Sequence, residues 1–184
     1  MRCETIDGRT FIRFDDTPRL VGDPVDLLNA ALGYAAAGLQ VFPLAPGSKK
    51  PHRGSHGFKD ATCDEAVIRA WWALSSESNV GIATGGLVEV IDVDGPAGQA
   101  VMDHLRALAD PPDGPRLMPA VLGEVTTPRG RHLYVRPCGL GCRVGWWPEV
   151  DTRGAGGYVV APPSVVAGHV YEWFQPLDLG EAEP

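Results

Sequence analysis

A chain of 184 residues, 44% of them hydrophobic, is long enough to bury one substantial core or two small halves sharing one, which excludes a wholly disordered segment. The surplus of 23 acidic over 16 basic residues leaves a net charge of −7 and argues against a general nucleic-acid coat protein, whose footprint is basic. No apolar run approaches a membrane span and the charged start MRCETIDGRT holds no apolar signal core, so no membrane partner is expected and the cytoplasm is the expected location.

Residues 1–22 read as a leader in which TFIRF is either an edge strand or unattached chain. At Asp23, a good cap followed by Pro24 in the first turn, a helix begins whose apolar face runs through Val25, Leu28, Leu32 and Ala35 and closes at Gly38. Leu39 to Leu44 is a short strand feeding the loop APGSKKPHRGSHG, a Gly- and Lys-rich anion site without the GxxxxGK[ST] of a Walker sequence. Thr62 and Glu65 have capping-box spacing, and Val67, Ile68, Trp71 and Leu74 give the next helix a buried side. Trp71 and Trp72 are adjacent and point different ways, one into the core and the other as a filler between elements or a nucleobase platform. NVGIATG and LVEVIDVD are two strands, followed by a helix over residues 97–108 through Val101, Leu105 and Leu108.

The proline-rich stretch 109–120 joins this αβαββα-like part to a second part with a mostly β rhythm. There EVTTP, RHLYVRP, GYVVAPPS and HVYEW are short extended runs, CGLGCRVGWWPEV is irregular, and residues 177–184 form a C-terminal tail. One folded domain over residues 23–176, of mixed α/β composition, is the expected organisation. The four cysteines, Cys3, Cys63, Cys138 and Cys142, lack a disulfide-framework spacing and fit a reducing compartment. They also lack a complete zinc-ligand set, so structural zinc is not expected. Trp146 and Trp147 lie in a Gly/Pro-bounded loop that either anchors into the core or stacks on a base.

Charge is distributed unevenly. Leu27 to Lys59 contains no acid but includes Lys49, Lys50, Arg53 and Lys59; Val125 to Pro148 contains none but includes Arg129, Arg131, Arg136 and Arg143. Two basic islands in an acidic chain can focus an anionic substrate locally, although solvated loops also cluster charge by chance.

Between the islands lies VIDVD. Strand residues i and i+2 share a face, so Asp92 and Asp94 project together while Ile91 and Val93 point into packing. Two carboxylates held close repel unless a positive charge sits between them, and a hard divalent cation such as magnesium or manganese answers that cost. The same pair also serves to start a turn at a strand exit, and residue type alone does not separate the two uses. Asp151, before the β run GYVV, is a candidate third carboxylate, with Arg153 on its face if the chain is extended there. His132, flanked by arginine at Arg131, is a candidate ligand for a triphosphate.

The succession ALGYAAAGLQVFPLAPGSKKP, GFKDAT, AVIRAWWA, NVGIATG, VEVIDVD, TTPRGRHLYV, DTRGAGGYVVAPPS and HVYEW, over about residues 29–173, resembles the bifunctional DNA primase/polymerase (prim-pol) N-terminal domain of the archaeo-eukaryotic primase superfamily. The resemblance implies an α+β fold, a small α/β unit packed on an RRM-like mixed sheet with the catalytic cleft between them. It implies Asp92, Asp94 and Asp151 as ligands of a two-metal site using magnesium or manganese. It matches His132 to the residue associated with the incoming phosphates, and Lys50, with Lys49 beside it, to a basic contact for nucleotide or template. Arg131 and Arg153 extend that nucleotide-binding set by charge and neighbourhood.

The implied activity is template-directed nucleotidyl transfer, as a DNA primase, a DNA polymerase or both, joining nucleoside triphosphates on a single-stranded or primed DNA template and releasing pyrophosphate. A helicase or other replication protein is the implied partner. Two alternatives use the same residues: a nucleotide- or nucleic-acid-binding module of the same fold without productive catalysis, and a metal-dependent hydrolase or small-molecule nucleotidyltransferase. The chain departs from the family pattern at TTPRGRH, which is one residue shorter than T-P-x-G-G-R-H and carries Arg129 where a small residue is usual.

Overall fold

The computed structural model describes residues 2–6, 9–13, 26–108 and 118–181. In chain order these form β1 (Arg2–Ile6), β2 (Arg9–Arg13), α1 (Leu27–Ala36), β3 (Val41–Leu44), a 3₁₀ turn (Gly57–Asp60), α2 (Glu65–Leu74), β4 (Asn79–Ala83), β5 (Glu89–Asp94) and α3 (Gly95–Leu108). Strands β6 (Val121–Thr126), β7 (Gly130–Val135), β8 (Arg143–Trp147), β9 (Val150–Arg153) and β10 (Tyr158–Ala161) follow. The chain closes with β11 (Val165–Val166), β12 (His169–Val170), β13 (Glu172–Gln175) and β14 (Leu177–Glu181). The expected cap Asp23, the linker residues 109–117 and the end 182–184 lie outside the described residues.

Local chemistry explains the helix ends. The cap of α1 is Asp26, whose carboxylate accepts from Asn29 N at 2.9 Å, and Gly38, at φ 84°, turns the chain away after the last turn. Leu27, Ala30, Ala31 and Tyr34 form its buried stripe, at helical spacing. The expected Thr62/Glu65 box is not used: Asp64 caps α2, with Oδ1 accepting from Ala66 N at 2.8 Å and Val67 N at 3.2 Å. Thr62 is committed elsewhere: its Oγ1 accepts from Asp64 N at 3.0 Å and its backbone exchanges two 3.0 Å hydrogen bonds with Val41. The buried face of α2 is also rotated from the expected one. Ile68 and Trp72 are buried at i, i+4 while Val67 and Leu74 face solvent, and Trp72 Nε1 donates to Ser78 O at 2.9 Å.

The largest sheet has strand order β13-β6-β7-β5-β9-β8, a smaller one β10-β4-β3, and a third β1-β2-β14. Every named strand pairing among the described residues is antiparallel, which corrects the expected mixed sheet. The physical reason lies in the β5-α3-β6 crossover. It returns β6 in the direction of β5, but the hairpin partner β7 inserts between them, so no parallel pair forms. Two other segments differ from expectation. Arg143 to Trp147, within the stretch read as irregular, is the edge strand β8, and its mostly exposed residues gave no alternation to read. Leu177 to Glu181, within the expected tail, is strand β14, paired with β2 around the fully buried Leu177.

The large sheet is covered on both faces. Val90, Tyr134 and Val125 pack toward α1, α2 and the small sheet; Ile91, Val93, Leu133, Val135 and Val150 pack with Met102 of α3 and Met118. The overall architecture is α+β, and β5 runs through the middle of it with each of its two faces in a different core. No helix among the described residues is long and apolar enough to cross a membrane.

Candidate active site

Strand β5 sits between β7 and β9, and the register puts Asp92 directly opposite His132 on one side and Asp151 on the other. Register partners share a face, so the three side chains form a row across the sheet. Asp94 follows on the same face opposite Gly130, and Arg153 joins it opposite Val90. Of this row, Asp92, His132 and Arg153 line a cleft of about 420 Å³ whose other walls include Lys49, Tyr158 and Tyr171. A second hollow, of about 640 Å³, lies beyond Asp92 and is lined by Asp94, Arg129, Glu149 and Asp151.

Arginines neutralise the acids. Arg153 Nη2 lies 2.8 Å from Asp151 Oδ2 and 3.6 Å from Asp92 Oδ2, so one guanidinium serves two carboxylates. Arg129 pairs with Asp94. Gly145 N adds a 2.7 Å hydrogen bond to Asp151 Oδ1, fixing that carboxylate from the β8 side. The junction between β5 and α3 is locked to the same hairpin: Asp94 N donates to Glu149 O at 2.8 Å, and Glu149 Oε2 accepts from Ala97 N at 2.9 Å at the start of α3.

His132 is only 6% exposed, and burial holds its imidazole below the usual range; Asp92 opposes that shift and the Lys49 charge adds to it. The His132 Nδ1 has no hydrogen-bond partner among the described residues. Its Nε2 faces Asp92 Oδ1 at 3.5 Å, too long for a strong hydrogen bond and open to a ligand.

Two expected contacts do not join this row. Arg131 is one residue from His132 on a strand, so it points to the opposite face, where it pairs with Glu124 and stacks over Phe174 at 4.4 Å. Lys50 is exposed and does not line the cleft, while Lys49 does; the Tyr158 hydroxyl donates to Lys49 O at 3.2 Å and ties that loop to the small sheet. The rings of Trp146 and Trp147 lie 4.4 Å apart, against each other, with Trp146 packed on the second core. Sequence reasoning treated Arg129 as a loop departure and missed its pairing with Asp94. The available signal was its place in the turn beside the strand that ends in Asp94.

Among the described residues no group of three or more His, Cys, Asp or Glu converges closely enough to hold a metal ion. The donor chemistry of Asp92, Asp94 and Asp151 nevertheless suits a hard cation. All three offer carboxylate oxygens on one sheet face, and each already has a positive charge as its partner.

A family model described as "Bifunctional DNA primase/polymerase, N-terminal" matches residues 31–184. No curated protein matches the chain.

Proposed function

Because the chain belongs to the bifunctional DNA primase/polymerase N-terminal family, we propose that it is a template-directed nucleotidyltransferase, a DNA primase, a DNA polymerase or both, that joins nucleoside triphosphates and releases pyrophosphate. Family membership supports nucleotidyl transfer as the general chemistry. The observation that carries the finer reading is the register of β7, β5 and β9, which sets His132, Asp92 and Asp151 side by side, with Asp92 on the wall of both hollows.

The two adjoining hollows divide the work by charge. On the Lys49, Arg153 and His132 side, two cations and an imidazole are arranged for a triphosphate; His132 Nε2 faces a phosphate oxygen, and Arg153 grips phosphate with its fork of donors. On the other side, Asp92, Asp94 and Asp151 are the residues that would hold magnesium or manganese. Such ions supply Lewis-acid activation of the attacking 3′-hydroxyl and neutralisation of the leaving pyrophosphate. The backbone bond from Gly145 keeps Asp151 aimed across the sheet while the hydrophobic mount of Ile91 and Val93 keeps Asp92 and Asp94 from moving. The partners that follow are nucleoside triphosphates, a single-stranded or primed DNA template, and a helicase or other replication protein that exposes it.

A second reading, a nucleotide-binding module of the same fold without productive catalysis, is favoured by one observation: each carboxylate of the row is paired with an arginine. Primer extension separates the two. The purified chain with manganese or magnesium, ribo- or deoxynucleoside triphosphates and a primed single-stranded template extends the primer, and Asp92→Ala or Asp94→Ala lowers the rate about 100-fold or more. Nucleotide binding without extension by the unaltered protein, under every metal and nucleotide, establishes the binding module instead.

A further inference from the structure

The hairpin between β6 and β7 is built to deliver one side chain. Thr127 N donates to Gly130 O at 2.9 Å and Gly130 N to Thr127 Oγ1 at 3.1 Å, closing a turn over Pro128 and Arg129. Gly95 N donates to Arg129 O at 2.9 Å, which ties the turn to the end of β5. A side chain at position 130 has no space, since its Cβ would stand 1.9 Å from Val93 O, so the glycine lets β7 close against β5 there. The backbone of Arg129 is thus fixed from both sides while its guanidinium reaches Asp94. The pair is solvent-accessible, with the Arg129 side chain 70% exposed, and exposed ion pairs are individually weak. A guanidinium stays charged at every working pH, so the pair is present whenever nothing stronger takes Asp94.

We propose that Arg129 is a resident competitor for the divalent cation at Asp94, a counter-charge that keeps the acid row stable without metal and must be displaced before Asp94 can act as a ligand. This inference rests on the metal-site reading above. Arg129 thereby sets the cation affinity of the site. The exposed, weak pairing makes the displacement easy, and the displaced guanidinium remains within the hollow it shares with Asp92 and Asp151, where an incoming phosphate is its next partner. Arg153 differs: it bridges Asp92 and Asp151 from a side chain only 29% exposed, so the competition at Asp94 is the readily reversed one.

The test measures manganese binding directly, from the electron paramagnetic resonance signal of free Mn²⁺ titrated with the full chain, without nucleotide and at fixed ionic strength. Arg129→Ala and Arg129→Gln are expected to bind manganese about 3- to 5-fold more tightly than the unaltered protein. Adding Asp94→Asn removes the gain, and Arg69→Ala, which deletes the same charge from an exposed site on α2 outside the hollow, leaves the affinity unchanged. Equal or weaker binding by both Arg129 variants, with manganese binding still lost in Asp92→Asn, overturns the competitor role and leaves the metal site standing. Absence of any Asp92-dependent manganese binding in the unaltered and Arg129-substituted proteins overturns the metal-site reading and this inference with it. Circular dichroism checks that each variant is folded; two substitutions at an exposed side chain keep the comparison available if one is not.

Discussion

Asp92 has functional candidates as both of its cross-strand neighbours, His132 and Asp151, and this follows from the period of two along a strand. The same-face pairing of Asp92 and Asp94 is readable from VIDVD alone, whereas Asp151 stands out in the sequence only as a candidate third carboxylate, because nothing local announces the strand pairing that brings in a residue 57 positions beyond Asp94. Arg131 obeys the same rule as the aspartates. A residue adjacent to a strand histidine faces away from it, and here it stacks on Phe174 across the sheet. The buried His132 gives a pH prediction with a fixed sign. Its folded pKa is held below the ordinary 6.5, so through the window from 6.5 down to the lowered value the unfolded chain binds more protons than the folded one. Its contribution to stability is present above 6.5 and is lost as pH falls through the folded value. Urea midpoints of the metal-free protein between about pH 7 and pH 5 should therefore fall more steeply than those of His132→Asn, with Asp92, Asp94, Lys49 and Arg153 unchanged in both. Parallel slopes would remove the depressed imidazole from the account.

At the scale of elements, the approach of β7 to β5 depends on Gly130. A Cβ there meets the Val93 carbonyl, which belongs to the backbone and cannot rotate aside. Gly130→Ala should cost about 2 kcal/mol or more of folding stability by chemical denaturation, and should lower activity beyond that loss by shifting His132 against Asp92. Unchanged stability would show that the two strands have slack at this point. Helices α1 to α3 and strands β3 to β7 were legible because their apolar residues recur at the helical or strand period. The caps were less so: Asp64 displaced the Thr62 box once Thr62 was drawn into its bridge with Val41, a tertiary event invisible in local spacing. Strand β8 was missed because an exposed edge has no buried face to encode, and β14 because its partner β2 lies at the opposite end of the chain.

For the whole molecule, a net charge of −7 limits unaided grip on DNA, so binding must rely on local cations. Lys49 lines the cleft and Lys50, its exposed neighbour, does not. Lys50 is then the better placed of the two for a template phosphate. Lys50→Ala should weaken single-stranded DNA binding and flatten the slope of log affinity against log salt by about 0.7, while leaving triphosphate binding intact; Lys49→Ala should do the reverse. Loss of triphosphate binding in Lys50→Ala would return that residue to the nucleotide site.

The central claim is that one face of β5 and its neighbours holds both the cation and the triphosphate. Anomalous diffraction at the manganese edge, from crystals grown with Mn²⁺ and a non-hydrolysable nucleoside triphosphate, tests it most directly. The predicted result is manganese bound by Asp92, Asp94 and Asp151, Arg129 released from Asp94, and the triphosphate along Lys49, His132 and Arg153. An ordered triphosphate elsewhere, or one in the cleft with no manganese on these carboxylates and both arginine pairs intact, would contradict it.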